Sequence, residues 1–335
     1  MKRILIITTG GTIGSTIENG VISAEEGKLL AVALYKERYG GADITVLSAM
    51  DILSEELEIG HWQKLLCFIK SIAPDKYDGL IITHGSDTLS YSSAFFGLCL
   101  CGLDIPVALT AADLVPDDPR SNAVENLRAC VEVIEKFRRG VFTVYKNPRD
   151  SFCSVYIATR IREADRVSGS FSSFDGRPFA RIENGRFIDE PFSMTIDELY
   201  ARTRPVILPD IPAINGSVLL VRPYPGMDHS ALMLKKSVKA VLYITYHSSS
   251  AASRGSRSAL SLLKRCSKKG IPFFLCSFGS SQTVYESSDT LIKNGALPLK
   301  HISDEAAFAK LILALMLGAD DIYGFMQSEI SCEYI

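Results

Sequence analysis

The apolar run Ile4–Ile7 breaks directly into Thr8-Thr9-Gly10-Gly11-Thr12. Aliphatic residues in succession, without polar alternation, suit a strand covered on both faces, as in a parallel sheet. Two glycines in a row then let the chain turn sharply and let a ligand come close to the backbone. Ligands of open α/β sheets bind beyond the carboxyl ends of the strands, so the Thr12 hydroxyl is expected at a ligand crevice. A second stretch repeats the arrangement: Tyr77–Thr83 reads as a buried strand and ends in His84-Gly85-Ser86-Asp87-Thr88. Two polar strand ends in one parallel sheet should converge on one crevice.

The surrounding chain alternates. Ile13–Gly20 is polar with two glycines and reads as a mobile loop. Helical spacing covers Ala24–Tyr39, His61–Ile72, Ser90–Cys101 and Ser121–Phe137. Strands are expected at Ile44–Leu47, Pro106–Thr110, Gly140–Tyr145 and Ser154–Thr159, the last two as a hairpin. This order predicts an α/β fold with a larger N-terminal domain over residues 1–190, built on a mostly parallel sheet with helices on both faces. Residues 160–212 are rich in Arg, Gly, Ser and Pro. Glu183–Pro212 reads as a connection, with 191–212 as the linker proper. A second alternation builds a smaller C-terminal α/β domain over 213–335, ending in a final helix at Glu305–Leu317. Its other elements are strands at Val218–Arg222, Ala240–Thr245 and Pro272–Cys276, helices at Ser230–Lys236 and Ser258–Lys268, and a short element at Thr290–Asn294.

A net charge of -2 argues against a nucleic-acid partner. No apolar run reaches the roughly 20 residues of a membrane span, and residues 1–7 lack the layout of a signal peptide; a cytoplasmic protein is expected. The eight cysteines lie mostly in apolar runs and read as reduced, buried thiols. No zinc spacing occurs, so no metal is expected.

A threonine hydroxyl is a weak nucleophile and needs a base together with donors for the developing oxyanion. Backbone N–H groups of Gly11 and its turn lie beside Thr12. Asp87 could anchor a substrate ammonium or orient a relay, and Ser86 could hold a water, bind substrate or act as a second nucleophile. Ser54 either caps a helix start or belongs to the site.

Thr9-Gly10-Gly11-Thr12-Ile13 and Thr83-His84-Gly85-Ser86-Asp87-Thr88 resemble the two signature motifs of the bacterial-type L-asparaginase/glutaminase family. Pro106–Leu127, Tyr224-Pro225-Gly226-Met227 and Asp304–Leu311 are similar to further family segments in the same order. The resemblance implies hydrolysis of the side-chain amide of asparagine, sometimes glutamine, to the acid and ammonia, without cofactor or metal. It implies a small-molecule amino-acid amide as substrate, and a homodimer or homotetramer with sites near the subunit interface. Carried over residue by residue, Thr12 is the nucleophile that forms an acyl-enzyme, and Ser86 and Asp87 are the catalytic residues of the second motif. Gly11, Ser54, Gly85, Ser86 and Asp87 are the substrate-binding positions, with Ser54 facing the substrate carboxylate.

This chain departs from the pattern where protons are handled. Val21 stands at the family's loop tyrosine and Gly169 at its lysine; no lysine occurs between Lys146 and Lys235. Ser250 stands at the asparagine of the family's second-domain loop. Loss of a positioned acid or base costs about 10²–10⁴-fold. Three readings follow: a divergent amidohydrolase with another base or another substrate, an asparaginase with a rearranged site, or a catalytically weakened amino-acid-binding protein. His247, supplied across an interface, and His84 are the candidate bases, against the plainer readings of a solvated loop histidine and a structural one. Arg160, Arg162 or Arg166 could supply charge near the vacated lysine position but cannot act as a base.

Overall fold

A computed structural model describes residues 1–18, 21–24, 30–190, 194–210, 214, 216–278 and 284–335. The chain forms two compact units: Met1–Pro212 with Ile330–Cys332, and Ala213–Glu329 with Glu333–Ile335.

The first unit runs through β1 (Arg3–Gly10), β2 (Ser15–Glu18), β3 (Val21–Ala24), α1 (Leu30–Tyr39), β4 (Asp43–Ile52), α2 (Ile59–Ser71), β5 (Gly79–Thr83) and α3 (Leu89–Cys99). It continues with β6 (Pro106–Thr110), α4 (Ala123–Lys136), β7 (Gly140–Tyr145), β8 (Cys153–Ile157), β9 (Ile161–Arg162), β10 (Ser172–Ser173), β11 (Ala180–Glu183), β12 (Arg186–Asp189) and α5 (Ile196–Arg202). Among the described residues, eight strands form one sheet in the order β12-β11-β8-β7-β6-β5-β1-β4. The five from β7 to β4 are parallel and the other three antiparallel. The mostly parallel sheet expected of the sequence is thus present, and β7 and β8 pair as the expected hairpin.

The continuous apolar runs explain the layering. Every residue of β5, β6, β7 and β8 is buried, and Ile4–Ile7 of β1 are fully so. Alternate side chains of a strand face opposite ways. Ile4 and Ile6 join Val32 and Tyr35 of α1 and Val124, Leu127, Val131 and Ile134 of α4 in one core. The α4 residues recur at helical spacing, which gives that helix one apolar face. Leu5 and Ile7 face the other side. Elsewhere in the unit α3 packs on β6 and β7, and Trp62 of α2 stacks on Phe95 of α3 with ring centroids 4.7 Å apart.

Trp62 also begins a buried chain of hydrogen bonds. Its Nε1–H donates to Ser92 Oγ at 2.7 Å, and Ser92 Oγ lies 2.9 Å from His84 Nε2. His84 Nδ1 is 2.8 Å from the Gly85 carbonyl oxygen. A carbonyl only accepts, so Nδ1 carries the proton and Nε2 accepts from the serine. The imidazole is 2% exposed, and burial holds its pKa below the ordinary value, against the pull of the Gly85 bond.

The second unit contains β13 (Ser217–Val221), β14 (Val238–Ile244), α6 (Ala259–Ser267), β15 (Phe273–Phe278), α7 (Glu286–Lys293), β16 (Leu297–Lys300), α8 (Asp304–Leu317) and α9 (Ile322–Gln327). Among the described residues, its four strands pair in sequence order, all parallel. Inside it, Lys310 of α8 and Glu333 form an ion pair at 2.6 Å with both side chains fully buried. Lys310 also donates to the Ser328 carbonyl, and its Nζ lies 4.7 Å from the Tyr334 ring centroid. All eight cysteines are free, and all but Cys67 are buried. No helix among the described residues is long and apolar enough to cross a membrane.

Several expected elements differ. The polar stretch after Thr12 forms a short 3-10 turn, Thr12–Gly14, and then the hairpin β2–β3, whose β-branched residues suit paired strands; Asn19 and Gly20 lie outside the described residues. Ala24 belongs to β3, and α1 is described only from Leu30. The expected connection 183–212 carries β12 and α5. That helix is started by a capping box in which Thr195 Oγ1 accepts from the Glu198 N–H while Glu198 accepts from the Thr195 N–H. The helix expected at Ser230–Lys236 is a single 3-10 turn, His229–Ala231, capped by Asp228. β16 went unforeseen because Pro298 interrupts it, which an edge strand tolerates. α9 follows the helix expected to be last.

Two outcomes follow from these buried groups. Replacing Lys310 or Glu333 alone by an apolar residue takes a buried charge from its ion-pair partner and should lower unfolding stability by about 3–5 kcal/mol; replacing both should recover most of the loss, as read by urea denaturation. For His84 the unfolded imidazole takes up a proton below about pH 6.5 while the folded one, its pKa lowered, does not. Stability should therefore fall as pH drops through that window, by at most about 1.4 kcal/mol per pH unit from this group. Urea melts of the parent and of His84→Gln at pH 5 and pH 7 check the sign, because the variant should show a shallower slope.

Candidate active site

Strand β1 lies between β4 and β5, parallel to both. Thr8 pairs with Thr83 on one side and Gly10 with Ile52 on the other, so the three carboxyl ends share one edge of the sheet. Between Thr8 and Gly10 the register of β4 jumps from Ser48 to Ile52, a bulge that re-aims the end of that strand.

Gly10 and Gly11 take φ of +100° and +80°, which side-chain-bearing residues rarely adopt. Space forbids a side chain as well. A Cβ on Gly11 would stand 2.6 Å from the Gly85 nitrogen and 2.7 Å from its Cα. The turn after β1 therefore packs backbone to backbone on the turn after β5. Each strand end then runs into one 3-10 turn: Thr12–Gly14 after β1, Ser54–Glu56 after β4 and Ser86–Thr88 after β5. Two hydrogen bonds join the last two turns. Ser54 Oγ donates to Asp87 Oδ2 at 2.9 Å, and Thr88 Oγ1 donates to the Ser54 carbonyl at 2.9 Å.

These turns enclose a cleft of about 380 Å³ lined by Gly11, Thr12, Asp51, Ile52, Leu53, Ser54, Glu55, Gly85, Ser86 and Asp87. All six positions expected from the sequence thus line one cleft: Gly11, Thr12, Ser54, Gly85, Ser86 and Asp87. Ser54 is buried, Thr12 and Ser86 are half-buried, and Asp87 is exposed. His84 lies beside them but faces away. Its Nδ1–H holds the Gly85 carbonyl, and in the planar trans peptide this directs the Ser86 N–H away from the buried ring.

The other sequence candidates are elsewhere. His84 has both ring nitrogens bonded, which leaves neither for a proton transfer in the cleft. His247, expected to act across an interface, is an exposed residue of the second unit; in the same loop Ser248 and Ser250 hydroxyls are 2.9 Å apart. Gly169 takes φ of +66° in a turn where its N–H donates to the Asp165 carbonyl at 2.8 Å, outside the cleft. The Val21 side chain lies outside the described residues. None of the three arginines lines the cleft. Arg160 is buried, with Nε donating to the Cys332 carbonyl at 2.7 Å and Nη1 to Asp175 at 2.8 Å. Arg162 lies over the Phe174 ring, and Arg166 is exposed.

Sequence reasoning missed four residues of the cleft, the apolar Ile52 and Leu53 and the charged Asp51 and Glu55. The signal for the charged pair was the acidic run around Ser54, which reads equally well as solvated charge. Among the described residues, the cleft is lined by three carboxylates and by no lysine, arginine or histidine. No cluster of three or more His, Cys, Asp or Glu among the described residues is placed to hold a metal.

Residues 3–190 match the family model described as Asparaginase, N-terminal. A glutamyl-tRNA(Gln) amidotransferase subunit from Methanosphaera stadtmanae is 24% identical over 347 residues, covering 99% of this chain and 76% of that protein. The corresponding protein of Pyrococcus furiosus is 26% identical over 329 residues, covering 94% and 72%. In fold, the chain is similar to the thermostable L-asparaginase from Thermococcus kodakarensis, with a TM-score of 0.80, 23% identity and coverage of 99% of both chains. L-asparaginase I from Vibrio cholerae gives a TM-score of 0.77 at 23% identity, covering 100% of this chain and 99% of that one. With a family model spanning more than half its length and motifs that meet in one cleft, this chain belongs to the asparaginase family.

Proposed function

We propose that this protein hydrolyses the side-chain amide of L-asparagine, or of a related amide, to the acid and ammonia. The observation that carries the reading is the joint lining of one cleft by Thr12, Ser54, Ser86 and Asp87, drawn from three adjacent strand ends. Thr12 is the nucleophile. Its oxygen bonds to the amide carbon, the carbon–nitrogen bond breaks, and ammonia leaves with the threonine proton. Water then cleaves the threonine ester, releasing the acid and restoring the hydroxyl.

The remaining residues bind and orient. Backbone N–H groups of the two glycine-containing turns, that of Ser86 among them, serve the developing oxyanion. Asp87 takes the substrate ammonium, and the Ser86 hydroxyl holds substrate or the attacking water. Ser54, whose hydroxyl donates to Asp87 in the free protein, turns that proton to the substrate carboxylate, which only accepts. The working form is a homodimer or homotetramer. A second reading is favoured by the relatives that are named as amidotransferase subunits: the ammonia is handed to a partner protein instead of to solvent.

Ammonia release from asparagine, glutamine and related β-amides tests the assignment. Thr12→Ala should lower turnover by more than about 10³-fold while the variant melts with the parent; unchanged release from it removes Thr12 as nucleophile. No turnover on any amide, with saturable binding of aspartate or asparagine, would replace the enzyme by a binding protein. Ser54→Ala deletes a hydrogen bond to a charged group, a loss of about 1.5–3 kcal/mol. It should raise KM roughly 10–100-fold and change kcat less.

A further inference from the structure

We propose that Asp51 is the general base that takes the proton of Thr12. The inference rests on the amidohydrolase reading above, which leaves the nucleophile with no base among the residues the family pattern supplies: position 169 is a glycine outside the cleft, and His84 has both ring nitrogens bonded.

The titratable groups facing the cleft, among the described residues, are Asp51, Glu55 and Asp87. Asp87 accepts the Ser54 hydroxyl at 2.9 Å and is needed for the substrate ammonium. Glu55 follows Ser54 on the 3-10 turn beyond β4. Asp51 sits earlier, inside β4, where that strand abuts the nucleophile's own strand. Its neighbour Ile52 is the register partner of Gly10. Asp51 Oδ1 lies 2.9 Å from the point that a Cβ on Gly10 would occupy, so the missing side chain at position 10 is what admits the carboxylate to the turn. Thr12 follows two residues later and lines the same cleft. The Asp51 carboxylate makes no ion pair or hydrogen bond with another described residue, so none of them competes for its lone pairs. A general base works directly or through one water, and of the three cleft carboxylates Asp51 is the one set against the turn that leads to Thr12.

The proton accounting closes. In acylation Asp51 accepts the proton of Thr12 Oγ1 as that oxygen bonds to the amide carbon. The same proton passes to the amide nitrogen as the carbon–nitrogen bond breaks, and ammonia leaves. In deacylation Asp51 accepts a proton from the attacking water, and the Thr12 oxygen receives it as the ester bond breaks. Amide and water become acid and ammonia, and the carboxylate is regenerated.

The test compares the parent with Asp51→Asn, Asp51→Glu and Thr12→Ala in two measurements. One is ammonia release across pH, where Glu55 and Asp87 are the other cleft groups whose titration enters the profile. The other is acylation of Thr12 by a β-lactone probe, followed by intact-mass spectrometry, which reads activation of the hydroxyl without requiring amide turnover. Asp51→Asn should lower kcat about 10²–10³-fold at little change in KM, slow Thr12 labelling by a similar factor and flatten the acidic limb of the kcat profile. Asp51→Glu should recover part of each. Unchanged labelling in Asp51→Asn, or a raised KM with kcat intact, overturns the proposal, the latter making Asp51 a substrate-binding group. If Thr12→Ala is inactive and Asp51→Asn fully active, only the role of Asp51 fails. Full ammonia release from Thr12→Ala, or neither labelling nor turnover in the parent, removes the amidohydrolase reading as well.

Discussion

The contact between Gly11 and Gly85 decides what this sheet edge can be. Two strand-to-turn junctions meet there at a distance that excludes even a methyl group. The approach sets the spacing between the first and third parallel strand ends, and therefore between the hydroxyl of Thr12 and the polar groups of the Ser86–Thr88 turn. The bulge in β4 and the Ser54–Asp87 and Thr88–Ser54 hydrogen bonds then bring the remaining strand end into the same small space. No regular sheet would place three backbones this way. The sheet supplies rigidity behind the turns, because its five parallel strands are buried almost throughout apart from β4 at the edge.

The electrostatics of the cleft are one-sided. Three carboxylates and several hydroxyls line it, with no cationic side chain among the described residues. The positive charge of Arg160, close in sequence to the vacated lysine position, is spent elsewhere: the guanidinium is buried in its pair with Asp175 and its bond to the Cys332 carbonyl. A ligand that brings its own ammonium suits such a surface, and an anionic group entering it meets, among the described residues, backbone N–H and hydroxyl donors. Among the described residues, the cleft offers proton transfer only carboxylates and hydroxyls.

The sheet was readable because four of its five parallel strands carry apolar runs, of which β1 and β5 end in glycine or a hydroxyl cluster, whereas β4, interrupted by Ser48 and Asp51, showed only its Ile44–Leu47 part. That Thr12, Ser86 and Asp87 meet in one cleft was readable for the same reason, since parallel strand ends point to one place. What escaped reading depended on partners distant in sequence or on local chemistry weaker than the composition around it. The capping box at Thr195 and Glu198 starts a helix inside a stretch dominated by Arg, Pro and Gly. Pro298 hid β16. The role of His84 is set by Ser92 and Trp62, far from it along the chain, which turn a motif histidine into a structural one. Asp51 and Glu55 looked like solvated charge, and only the turn geometry shows which surface they face.

The buried Lys310–Glu333 pair has a consequence for the order of events during synthesis. All four strands of the second sheet and helix α8 leave the ribosome before Glu333 does. Until then Lys310 lacks the partner it is buried against, so seating α8 first would bury an ammonium without its ion pair. The seating of α8 is thus tied to a residue 23 positions further along the chain, and the core of that unit closes only once the segment after α9 is in place.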